Sequence, residues 1–248
     1  MMRGRTAGYG LLGFVLLLGA WQWVGWSGVA GRTLPALTSV LRVYGQPTRR
    51  ALLERSAEAT LLAAGTGFGV GAAAGVAVAV LAHVVMGLRR GLDRLAVLVN
   101  ALPVIALGPV LILTVGRRGT PAVLAAVPVF FLVYTAASTG LRGASARLEL
   151  VFRTMGASRW QRLRWLEMVS ALPALVSGLK IAVGSAILGA VVGEWFGAPT
   201  GLGIVVLNSM QNFQVPLMWA TVLVITATTL LGYAVLSVVE QAVVRRVR

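Results

Sequence analysis

Cysteine is absent from the 248-residue chain, histidine occurs once and the carboxylates number only seven. Without a thiol there is no disulfide, no cysteine nucleophile and no thiolate metal site. A single imidazole, with no second histidine or acid at ligand spacing, leaves little material for acid–base chemistry. Charge of either sign is also scarce: 12% of residues are charged, about half the share a soluble domain carries. A chain this poor in charge cannot cover a globular surface with polar groups. With 58% hydrophobic residues and a mean hydropathy of +0.86, it reads as an all-α polytopic membrane protein.

The formal net charge of +15 comes almost wholly from arginine. In a soluble protein that would point to nucleic acid. In a membrane protein arginine collects on inside loops and near anionic headgroups, so lipid is an expected partner and nucleic acid is not.

Hydropathy predicts about six membrane-spanning helices, near residues 9–26, 59–86, 95–115, 121–140, 172–195 and 216–239, in a single domain over residues 1–248. The first run carries Trp21, Trp23 and Trp26 at its far end. A signal peptide cleaved near Gly28-Val29-Ala30 is its rival, and the later spans favour an uncleaved helix. Leu37, Val40, Leu41 and Tyr44 predict a short amphipathic helix lying on the surface before the second span. Glycines 65, 67, 69, 71 and 75 place small residues four apart along that span, suited to close helix contact in the same chain or in another subunit. His83, near its end, reads as interfacial. Pro103 and Pro109 mark the third span as one whose freed carbonyls need partners, and Gly116–Gly119 is the next turn. Residues 204–213 predict a short re-entrant or interfacial helix. Counting basic residues on alternate loops puts both termini inside.

Five polar residues sit among the apolar runs: Asn100, Lys180, Glu194, Asn208 and Gln211. Charges at membrane depth usually face a partner or a water-filled path, which makes these five the candidate pathway residues.

The stretch from Arg142 to Pro173 stands out, with six arginines between two apolar runs: Arg142, Arg147, Arg153, Arg159, Arg162 and Arg164. Leu148, Val151, Phe152 and Met155 fall at helical spacing, and Gly156 follows where a helix end favours left-handed backbone. Ser158 and Gln161 then form a capping-box pair for a second helix. The inside location of this basic helix–turn–helix, over about residues 142–171, makes it a candidate contact surface for another protein.

A helix–turn–helix of this kind ending in Leu172-Pro173 resembles the coupling segment of the permease subunits of ABC importers. Arg153-Thr154-Met155-Gly156-Ala157-Ser158-Arg159-Trp160-Gln161 is similar to the core of that segment. Gly178-Leu179-Lys180-Ile181-Ala182, Val192-Gly193-Glu194-Trp195-Phe196-Gly197, Gly201-Leu202-Gly203 and Leu34-Pro35 resemble the nitrate/sulfonate/taurine branch. The family's Glu-Ala-Ala is replaced by Leu150-Val151-Phe152, with Glu149 one place early, and Met168-Val169 stand where a first Leu-Pro usually falls.

The resemblance implies a type I importer permease fold in a bacterial inner membrane. It implies a second permease subunit, identical or related, two ATP-binding subunits and an extracytoplasmic substrate-binding protein. Arg153, Gly156, Ala157, Ser158, Arg159, Trp160 and Arg162 would be the ATPase-coupling residues. No Gly-x-x-x-x-Gly-Lys-Ser/Thr occurs in the sequence, so the chain itself is not expected to be an enzyme or to hold a cofactor. ATP and magnesium would belong to the partner ATPase. The implied solute is small and anionic, a sulfonate, taurine or nitrate, with a small heterocycle or vitamin precursor as the alternative. A membrane enzyme lacks the side chains it would need, and a membrane anchor recruiting a soluble partner would share the basic helix without ATP-driven transport.

Overall fold

The computed structural model describes residues 2–29, 31 and 33–247, so the cleavage reading at Ala30 and the terminal Arg248 lie outside the described residues. Among the described residues every regular element is helical. They are α1 (Met2–Ser27), α2 (Leu37–Tyr44), α3 (Pro47–Val84), α4 (Met86–Ala101), a 3-10 turn (Val104–Leu107), α5 (Gly108–Arg142), α6 (Ala146–Thr154), α7 (Arg159–Arg162), a π-turn (Leu163–Glu167), α8 (Met168–Glu194), α9 (Leu202–Gln211) and α10 (Val215–Val247).

Helices α3, α5 and α8 form the centre. Their contact faces are built from small residues, so backbones meet directly. A Cβ on Gly71 would lie 2.5 Å from the Ala126 carbonyl oxygen, and one on Gly189 would lie 2.5 Å from that of Leu124. Ala125, Val129, Val133, Ala182 and Ala190 fill the space between them and are fully buried. Of the glycines along α3, those at 67, 71 and 75 face α5, whereas Gly65 and Gly69 face open space.

Four helical stretches are long and apolar enough to cross a membrane: Pro47–Val84, Val104–Arg142, Arg159–Glu194 and Val215–Arg245. Leu12–Ser27 and Leu202–Gln211 are shorter apolar helices. At 38 residues, α3 is about 57 Å long, well beyond a bilayer core of about 30 Å. It starts at Pro47, where proline suits the first helical turn, and so runs twelve residues ahead of the expected second span.

Several expected boundaries change. The single helix anticipated over 95–115 is broken: Leu102 is extended (φ −68°, ψ 127°), because the residue before Pro103 is pushed out of the helical region. The chain passes through the 3-10 turn before helix resumes at Gly108. At Gly116 the backbone leaves helical geometry altogether (φ 74°, ψ 171°), marking the turn anticipated at 116–119. The helix that carries the expected fifth span begins well before Leu172. Helix runs from Arg159 through the π-turn to Glu194, held from its first turns by Leu163 and Leu166, which are buried, Leu163 in a cluster with Leu141 and Ala171.

Helix α2 is seated more deeply than a surface helix. Val40 and Val43 are buried against Leu53, Leu202, Leu217 and Ala220, and the Tyr44 hydroxyl donates to the Ala220 carbonyl at 2.7 Å. Burial raises the phenol's pKa. Helix α1 is fastened through the same corner: Trp21 Nε1 donates to the Pro35 carbonyl at 3.1 Å, and its ring meets Trp219 edge to face at 5.1 Å.

Candidate functional site

The basic stretch folds as two helices joined by a tight, fully hydrogen-bonded turn. Helix α6 ends in a Schellman motif: Ala157 N donates to the Phe152 carbonyl at 2.9 Å and Gly156 N to that of Arg153 at 3.0 Å, with Gly156 at φ +73°. Two residues later the second helix is capped. Gln161 N donates to Ser158 Oγ at 3.3 Å, and Ser158 N donates to Gln161 Oε1 at 2.7 Å. The turn and the cap together fix the backbone of this corner through four hydrogen bonds within ten residues.

This corner closes over the ends of α3 and α4. Arg159 reaches back to donate from Nη2 to the Val84 carbonyl at 2.7 Å. His83 Nε2 lies 2.7 Å from Glu167 Oε2, tying the last turn of α3 to the π-turn. Together they border an open cavity of about 580 Å³, with Arg89, Arg153, Arg162 and Trp160 on its wall. The Trp160 indole is 66% exposed and Met155 80% exposed. Thus Arg153, Arg159, Trp160 and Arg162 share one cavity, and Gly156, Ala157 and Ser158 form the turn beside it. Leu150 and Val151, at the eroded Glu-Ala-Ala, are exposed. Glu149 accepts from Arg153 Nη2 at 2.6 Å, one turn along α6, and lines the same cavity.

The five polar residues of the apolar runs do not converge. Asn100 is exposed near the end of α4. Lys180 forms an ion pair with Glu240 of α10, with Tyr233 stacked nearby (5.2 Å from Nζ to the ring centre) and Ser177 donating to the same carboxylate. Glu194 is 1% exposed. Its carboxyl accepts from Thr60 Oγ1 at 2.7 Å and from Gly203 N at 2.6 Å, while Leu202 N donates to Thr60 Oγ1 at 2.8 Å. Glu194 thus clamps α3, α8 and α9 together. A Cβ at Gly201 would lie 2.2 Å from the Glu194 carboxyl carbon, so glycine is required there. Asn208 lines a cavity between α3 and α9, and Gln211 lies outside its wall. Sequence reasoning missed His83 and Glu167 as a pair, Thr60, and Glu240. Only Glu240 had a local signal, a lone carboxylate at the edge of an apolar run.

Residues 65–248 match the family described as the binding-protein-dependent transport system inner membrane component. The chain belongs to this family. Over 93% of its length the permease is 32% identical to 87% of the riboflavin transport system permease protein RibX of Chloroflexus aurantiacus. It is 35% identical to the formylaminopyrimidine transport permease protein ThiX of Halalkalibacterium halodurans over 61% of each chain, so the match spans less than two thirds of that relative. A Bacillus subtilis protein named for aliphatic sulfonate transport, SsuC, is 27% identical over 87% of this chain and 79% of its own. In fold the permease is similar to a chain of the MetNI methionine ABC transporter in an inward-facing conformation, with TM-score 0.72 and 21% identity over 80% of this chain and 99% of that one. The permease is therefore a membrane transport component of type I importer fold.

Proposed function

We propose that the permease carries a small heterocycle, of the vitamin or vitamin-precursor kind, and is driven through the α6–α7 corner by a separate ATPase. In this reading the His83 end of the bundle is cytoplasmic, as are both termini. Helix α1 and the broken α4 stretch complete six crossings with the four long helices. A second permease, two ATP-binding subunits and an extracytoplasmic binding protein make up the working assembly, with ATP and magnesium held by the ATPase.

The observation that carries the coupling role is the corner itself. A Schellman turn and a capping box fix the backbone so that Trp160 and Met155 project as apolar anchors, flanked by arginines, the side-chain mix that concentrates binding energy at protein interfaces. The Arg159 and His83–Glu167 contacts join that corner to α3, so a push on it is passed to a spanning helix.

The heterocycle reading is favoured over the anion reading by where the charges go. Lys180, the cation expected on the path, is already paired with Glu240, and Glu194 is closed into its clamp. The 35% and 32% identical relatives are named for a pyrimidine and a flavin, and the sulfonate-named relative is the more distant at 27%.

The coupling test is Gly156→Pro beside Trp160→Asp in the reconstituted assembly. Proline fixes φ near −65° and has no N–H, so it fits neither the φ of +73° nor the bond to Arg153. Both variants are expected to insert normally and to lose at least tenfold in ATP-driven uptake. Unchanged uptake in both would remove the coupling role from this corner.

A further inference from the structure

A second cavity lies at the opposite end of the bundle, between the start of α3 and α9, with a volume of about 310 Å³. Its wall is largely apolar, from Leu52, Ile204, Val205 and Leu217. Three hydroxyl residues line it, the exposed Thr200 and the buried Ser56 and Ser209, at 4% and 2% exposure. Amides stand at its rim, from Asn208, Asn212 and Gln214, all exposed. Apolar walls with a few convergent polar groups are the usual make-up of a small-molecule site.

Two observations set this cavity apart from a packing gap. Ser209 Oγ is buried and has no hydrogen-bond partner, an unfavourable state for a hydroxyl. A serine inside a helix would ordinarily donate to the carbonyl one turn back. The helix that carries it is also held in a strained closure. Its C-terminal Schellman turn, with Gln214 N donating to the Ser209 carbonyl at 2.8 Å, places Phe213 at φ +54° where glycine is the usual residue. That closure seats Gln214 on the rim. The Glu194–Thr60 clamp fixes the other end of α9, one turn along α3 from Ser56.

Among the described residues no ionisable side chain lines the cavity. An anion entering it would lose water without gaining a counter-charge, and the Glu194 carboxyl behind Thr60 supplies no positive field. An uncharged ring with donors and acceptors on its edge suits both the apolar walls and the unpartnered hydroxyl.

We propose that the cavity between α3 and α9 is a binding site within the permease for an uncharged, single-ring heterocycle, whose polar edge is hydrogen-bonded by Ser209 and the rim amides. The site rests on the heterocycle reading above and adds to it the place where the ring is held.

The test is equilibrium binding of a radiolabelled formylaminopyrimidine, with ethanesulfonate as the comparator, to the full chain purified in lipid nanodiscs with the subunits that accompany it. Uptake of the same pyrimidine is measured in proteoliposomes with its binding protein. Two variants are used, Ser209→Ala and Asn208→Leu. The wild type is expected to bind the pyrimidine and not the sulfonate, and each variant to bind it about five- to tenfold more weakly. Removing an unpartnered hydroxyl takes away no internal contact, so the melting temperature of Ser209→Ala is expected to be unchanged or higher. Pyrimidine uptake with no binding by the purified wild type, or with equal binding by wild type and variants, overturns the site and leaves the heterocycle reading standing. Neither uptake nor binding of the pyrimidine, or preference for the sulfonate, overturns both.

Discussion

Replacing Glu194 separates a structural clamp from a charge on the transport path. The carboxyl receives two hydrogen bonds, from Thr60 Oγ1 and Gly203 N, in a position 1% exposed. In Glu194→Ala the Gly203 N–H loses its acceptor and a small void opens between α3, α8 and α9. An orphaned buried donor costs about 1–3 kcal/mol and the lost packing adds to it, for a total of about 2–4 kcal/mol. For a chain of this size that corresponds to a fall in melting temperature of about 5–15 °C. Glu194→Gln behaves differently. Its carbonyl oxygen can accept from Gly203 N and its amide can donate to Thr60 Oγ1, whose own proton then goes wholly to the Ser56 carbonyl, already 3.0 Å away. The remaining lone pair of Thr60 still accepts from Leu202 N. All partners stay satisfied, so Gln is expected to melt within about 1 kcal/mol of wild type and to retain uptake. The assay is thermal unfolding in nanodiscs beside uptake by proteoliposomes. A Gln variant that keeps its melting temperature and loses transport would refute the clamp and return Glu194 to the pathway.

Two further outcomes follow from packing and pairing. Gly71→Leu is expected to abolish folded protein, because its Cβ would lie 2.5 Å from the Ala126 backbone oxygen, whereas Gly65→Leu, with nothing within 4 Å, is expected to express at wild-type yield; equal loss in both would contradict the α3–α5 contact. Lys180→Met and Glu240→Leu are each expected to lower the melting temperature more than the double variant, since removing one partner strands the other in an apolar setting; additive losses would show that the two groups do not interact.

Local chemistry made the corner legible in the sequence. A glycine where a helix must end and a serine three residues before a glutamine each act within one turn of backbone, and both motifs formed with the bonds their spacing implied. The break before Pro103 was also signalled, but a run of apolar residues through it hid the change of direction. Long-range partners carried no such signal. Thr60 is 134 residues from Glu194 and His83 is 84 from Glu167, so neither pair follows from spacing. The pairing of Lys180 with Glu240 escaped the sequence for a specific reason. Helix α10 extends beyond the apolar run that defined the sixth span, and Glu240 sits one residue past that expected end. The glycines of α3 were ambiguous for a similar reason: their spacing allowed either an internal or an external partner, and only the placement of α5 assigned those at 67, 71 and 75 to the fold.

The coupling of this permease to a separate ATPase is tested most directly by isolating the chain from its membrane in mild detergent, identifying what accompanies it and assaying ATP hydrolysis. An ATP-binding subunit at about one per permease, retained by the wild type and released by Trp160→Asp, is the predicted result. A chain that comes down alone, without ATPase activity even after gentle cross-linking, would contradict the account.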